Sequence, residues 1–107
     1  MSHFAKNLVE IITDTPMTQW TAVAGSEFTL ERAGNLIRIS YAVDAAVSLY
    51  LRPSSGTEIY LNNQGDVVAD VVYTEDIALD HGRSFTFRTS SAASPNLIHL
   101  CIQEVSA

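Results

Sequence analysis

Glu75, Asp76, Asp80 and His81 stand close together in the sequence, and carboxylates with an imidazole can bind a hard or borderline cation. Their spacing does not follow a calcium loop, in which ligands alternate. A solvated acidic edge that discourages strand pairing is the plainer account. His3, His81 and His99 are the histidines from which a serine–histidine–carboxylate triad would be drawn. No Gly-x-Ser-x-Gly elbow accompanies them. His81 lies between Asp80 and Gly82, a turn position, and His99 lies in an apolar stretch suited to a strand or a subunit contact. Cys101 shares that stretch, where a thiol is inert packing. As the only cysteine it forms no intrachain disulfide and no thiolate metal cage, which fits a protein made in a reducing compartment. Trp20, Tyr41, Tyr50, Tyr60 and Tyr73 offer rings to a sugar. Tyr50 and Tyr60 are expected to face outward as a pair, although tyrosines also simply fill sheet faces. No glycine-rich phosphate loop and no basic–aromatic interleaving occur. No catalytic residue, metal ligand or cofactor is assigned, and the chain is expected not to be an enzyme.

The elements that would position these residues are strands. From Leu8 to Val105 apolar residues recur at every second position in short runs, the period of a strand with one buried face. Runs at 8–13, 19–23, 26–31, 36–43, 47–52, 57–61, 66–73, 83–89 and 96–105 read as strands, and 75–80 as either a strand or a single turn. Between them lie turn clusters such as Pro53-Ser54-Ser55-Gly56 and Asn62-Asn63-Gln64-Gly65, the latter rich in residues that tolerate a left-handed backbone. The spacing predicts an all-β, single-domain antiparallel β-sandwich, jelly-roll-like, at 8–107, preceded by an N-terminal arm at 1–7. The last run is apolar on both sides: Ile98, Leu100 and Ile102 on one, Leu97, His99, Cys101, Gln103 and Val105 on the other. Such a strand is covered on both faces, the second time by the arm or by another subunit. Phe4 in the arm and His99, Cys101 and Gln103 in the last strand are therefore the candidate interface residues.

A chain of 107 residues with 47% hydrophobic and 17% charged residues can bury a core, unlike a disordered segment. Its net charge of −6 makes nucleic acid and anionic membrane poor partners. Lys6 is the only lysine, and the other cations are arginines, the type favoured at interfaces. No stretch reads as a signal peptide or a membrane span.

Gln19-Trp20-Thr21-Ala22-Val23, then Ser26-Glu27-Phe28-Thr29-Leu30, then a string of strands ending at 98–105 resembles small bacteriophage virion proteins, in particular the β-sandwich decoration, or cement, proteins of icosahedral capsids. The shared features are size, acidity, a short arm, Thr/Ser/Val-rich strands and no catalytic signature. The resemblance implies a non-enzymatic structural protein that self-associates, often as a trimer, binds the major capsid protein or another virion protein, and resides in the virion after assembly in the host cytoplasm. The alternative is a receptor- or carbohydrate-binding β-sandwich module of a phage tail. A third reading, a small hydrolase or metal-dependent enzyme, would use Asp76, Asp80 and His81.

Overall fold

Alternation of apolar and polar residues gives each strand one face to bury, and two sheets bury those faces against each other. The computed structural model describes residues 5–32, 35–79 and 84–105. Over them nine strands form: β1 (Ala5–Ile12), β2 (Thr15–Pro16), β3 (Phe28–Thr29), β4 (Leu36–Val43), β5 (Leu49–Pro53), β6 (Ile59–Tyr60), β7 (Tyr73–Ala78), β8 (Ser84–Thr89) and β9 (Asn96–Val105). The first sheet runs β1-β9-β4-β7, with β2 also on β9, and the second runs β3-β8-β5-β6. All pairings are antiparallel. The chain is thus an all-β, single-domain, two-sheet β-sandwich. Apart from β1–β2 and β5–β6, consecutive strands lie in opposite sheets.

The strictest alternation makes the best strands. In β4, Ile37, Ile39 and Tyr41 are fully buried while Arg38 is exposed. In β8, Phe85, Phe87 and Thr89 point inward and the residues between them lie partly exposed. The two layers meet through Ile37, Ile39, Leu100 and Ile102 on one side and Leu49, Leu51, Phe85 and Phe87 on the other. Phe28 stacks on Phe85 at 5.4 Å, and Tyr41 reaches across the core to Phe87 at 6.1 Å.

Some boundaries differ from the sequence reading. Strand β1 begins at Ala5 and pairs with β9 from there, so 5–7 belong to a strand, and Phe4 lies outside the described residues. Pairing does not end for good at Thr13, the last residue of the first predicted run. After Asp14 turns the backbone through a left-handed conformation (φ 48°), Thr15 and Pro16 pair with the start of β9. The run 19–23 is not a strand. Trp20 takes a left-handed backbone (φ 62°), while the N–H groups of Trp20 and Val23 still donate to β8, at the carbonyls of Thr89 (2.9 Å) and Phe87 (3.1 Å). Most of 66–73 is loop, interrupted at Asp70 (φ 63°), whereas 75–80 falls largely within β7. In β9 an irregularity beside Val43 sets Leu97 inward, fully buried, instead of on the side of His99.

One buried charge ties the end of β9 to the β3–β4 connection. Glu104 points inward, fully buried. Its carboxylate accepts the backbone N–H of Glu31 (2.8 Å) and of Arg32 (3.0 Å) and the Asn35 side-chain amide (2.8 Å). Burial alone would raise its pKa. The hydrogen bonds from Glu31, Asn35 and Arg32, with the positive charge of Lys6, outweigh burial and hold it below the ordinary value of 4.5. Among the described residues no buried side-chain nitrogen or oxygen lacks a partner.

Glu104→Ala strands these donors, and urea unfolding is expected to show a loss of about 3 kcal/mol. Because folding depresses this pKa, the Glu104 contribution is complete above pH about 4.5 and disappears as the pH falls through the lower folded value. Urea midpoints measured from pH 6 downward should therefore drop below pH about 4.5, and less steeply in Glu104→Gln, where no carboxylate titrates.

Candidate functional site

Strand β9 is central in the first sheet, between β1 and β4, so its outward side chains occupy the middle of an outer face. Those side chains include His99, Cys101 and Gln103, all half-buried. The register sets Ala42 beside His99, Ser40 beside Cys101 and Arg38 beside Gln103. On the far side of β4, Thr74 follows Ser40 and Asp76 follows Arg38. Three of the four candidate interface residues thus share one surface. The structure does not describe the fourth, Phe4.

The face changes character along its length. At the Gln103 end it is polar and internally bonded. The Gln103 amide donates to Asn7 Oδ1 (3.0 Å), and Arg38 forms a two-pronged ion pair with Asp76 (Nε to Oδ1 2.8 Å, Nη2 to Oδ2 3.0 Å). That bond raises the Arg38 pKa and lowers that of Asp76. In the middle Ser40, Cys101 and Thr74 are small, with a weak bond from the Thr74 hydroxyl to Ser40 (3.4 Å). Toward the His99 end Ala42 is apolar and buried, and exposed Val72 directly precedes Tyr73, the residue paired with Tyr41. An open hollow of about 540 Å³, lined by Asn7, Glu10, Cys101 and Gln103, follows β9 on its β1 side.

The acidic stretch does not gather into one site. Glu75 and Asp76 point to opposite faces of β7, while Asp80 and His81 lie outside the described residues. Asp76 is committed to Arg38. Glu75 accepts the Tyr41 hydroxyl and the Asn62 N–H (2.9 Å), which anchors a turn whose residues Asn62, Asn63 and Gln64 are all left-handed (φ 52°, 53° and 68°). Burial, then the bond to Glu75, pushes the Tyr41 hydroxyl well above the ordinary tyrosine pKa. Among the described residues no group of three or more His, Cys, Asp or Glu side chains could hold a metal ion.

The aromatic residues divide between core and surface. Tyr41 and Tyr73 stack at 5.6 Å, Tyr41 fully buried. Tyr50 and Tyr60 form the expected outward pair on the second sheet, with ring centroids 5.3 Å apart. Tyr50 is nevertheless only 1% exposed, because Trp20 from the β2–β3 connection packs on it at 6.1 Å and is itself 54% exposed. Burial raises the Tyr50 pKa.

The sequence offers Trp20 as a ring for a sugar but places it in a strand, whereas its display depends on its own left-handed backbone. The exposed valines are missed by the sequence reading. Val68, Val71 and Val72 are 59%, 42% and 61% exposed. The signal for the valines was present: Val67-Val68 and Val71-Val72 are adjacent pairs, and a pleated strand cannot bury both members of such a pair on one face. Compared with known proteins, the sequence matches no family model and no curated protein.

Proposed function

We propose that this chain is a non-enzymatic structural protein of a virion, a capsid decoration protein that associates with copies of itself through the outer face of its first sheet and stabilises a larger shell. The sandwich in this reading is a jelly roll. Support comes from the strand orders β1-β9-β4-β7 and β3-β8-β5-β6, in which a broken first strand (β1 and β2) and repeated crossing between layers suit two intertwined Greek keys.

The observation that carries self-association is the outer face of β9. Its middle carries the small residues Ser40, Cys101 and Thr74, which lose little side-chain freedom on burial. Its His99 end adjoins exposed valine, and its rim is polar, as at protein interfaces. A symmetric oligomer, a trimer by the resemblance, would set this face of one copy against its neighbours. Several weak contacts to the major capsid protein would then add up to firm attachment without a large single interface. The acidic surface disfavours nucleic acid and anionic membrane as partners. Residence in the virion, with assembly in the host cytoplasm, belongs to the same proposal.

Light scattering of the purified protein is expected to give an oligomer mass, and a monomer at every concentration tested overturns self-association. His99→Asp introduces a charge on the face and should weaken association by about tenfold or more, since burying an unpaired charge costs several kcal/mol. An unchanged mass in this variant places the interface elsewhere. Alkylation of Cys101, followed by mass spectrometry, should be slow in the oligomer and faster in His99→Asp. Mass spectrometry of purified virus particles tests the virion assignment directly.

A further inference from the structure

The outer face of the second sheet holds a different set of groups. Two outward rows cross its central strands: Arg88, Tyr50 and Tyr60 in one, Thr86 and Arg52 in the other. Between β5 and β8 runs a shallow groove of about 230 Å³, lined by Glu27, Arg52, Ser54, Ser84, Thr86 and Arg88. At the end of the rows stands Trp20, seated on Tyr50 and more than half exposed.

We propose that this face binds an acidic oligosaccharide, with one pyranose ring lying on the Trp20 indole, its hydroxyls in the groove, and a sugar carboxylate meeting the Arg88 guanidinium. The proposal is independent of self-association through the first sheet. A sugar ring presents a face of C–H groups that packs on an aromatic plane, and its rim of hydroxyls needs donors and acceptors side by side. The groove supplies both in Ser54, Ser84, Thr86, Arg52 and Glu27. A peptide bound by strand addition is disfavoured, because β5 and β8 are the inner strands of this sheet, each flanked by a neighbour on both sides.

Charge selects the class of sugar. In a chain of net charge −6, Arg38 and Arg52 are paired with Asp76 and Glu58. Arg88 has no ion pair with a carboxylate among the described residues. Its Nε donates to Thr86 Oγ1 (3.0 Å) and its Nη1 to the Trp20 carbonyl (2.7 Å). A carboxylate on the ligand completes this guanidinium. The same bond holds the Trp20 backbone, whose N–H also donates to the Thr89 carbonyl (2.9 Å). The backbone that carries the indole is therefore held before any ligand arrives, and the ring rests against Tyr50, which lowers the ordering cost of binding.

Trp20 is the only tryptophan of the chain, so its fluorescence reports on this face alone. Titration with sialyllactose and with trigalacturonate should change that emission, while lactose, the neutral control, should bind at least about tenfold more weakly. By calorimetry, Trp20→Ala and Arg88→Gln should each weaken binding of the acidic sugar by about tenfold or more, with circular dichroism unchanged. Trp20→Phe, which keeps a ring on Tyr50, and Arg88→Lys, which keeps the charge, should retain part of it. His99→Asp, on the opposite sheet, should bind sugar as the parent does even if its mass falls. No response to any oligosaccharide at millimolar concentration overturns the proposal. So does full affinity in both Trp20→Ala and Arg88→Gln, or binding of a polyglutamate peptide in place of sugar. Equal affinity for lactose removes the carboxylate from it.

Discussion

The structure depends on β9 being paired along both edges and packed on one face. It holds β1 and β2 on one side and β4 on the other. Its inward row of Leu97, Leu100 and Ile102 is fully buried against the second sheet. Glu104 continues that row as a charge, and its three hydrogen bonds bring the β3–β4 connection to the end of the first sheet. Removing an apolar member of the row would leave a cavity between the layers, while removing Glu104 would leave buried donors unmet. The outward row is set by the same strand, so the position of the candidate interface follows from the core and not from any property of His99 or Cys101 themselves.

The two outer faces are chemically distinct, although the same alternation produces both. The first sheet presents small side chains and a polar row already satisfied by Gln103, Asn7, Arg38 and Asp76. The second presents rings and guanidinium groups. The edges are guarded as well. Strands β3 and β6 are only two residues long, and the longer edge strands carry charges that discourage pairing with another sheet, Lys6 and Glu10 on β1 and Asp76 on β7. The acidic stretch that first suggests a cation site is thus divided between an edge, a turn anchor and an ion pair.

What the sequence discloses follows the strength of its period. Strands β4 and β9 have the predicted bounds, because eight alternating residues in β4 and ten residues of strand-forming types in β9 make long runs bounded by turn residues. The run 19–23 alternates just as cleanly but is short, and a left-handed Trp20 lets it bond to β8 without becoming a strand. The valines of 66–73 have strand propensity, yet loop contacts claim them: the Val67 N–H donates to the Val47 carbonyl (3.0 Å) and the Asp70 N–H to the Val43 carbonyl (2.7 Å). For the candidate site, alternation alone puts His99, Cys101 and Gln103 on one side of β9. The hidden Glu104 and the exposed Trp20 required the fold, since a charge on an apolar row and a ring on a turn are settled by partners 69 and 68 residues away.

The pairing of Ala5 with Val105 has a consequence for synthesis. The first residues of β1 find their partner only when the far end of β9 has been made and has emerged from the ribosome. Until then β1, β2 and β4 all lack the strand that lies between them, and the apolar faces of both sheets stay uncovered. A nascent chain of this topology cannot fold piece by piece. It closes late, in one step dominated by distant pairings, and at the pace typical of β-sandwiches, milliseconds to seconds, not that of helical bundles.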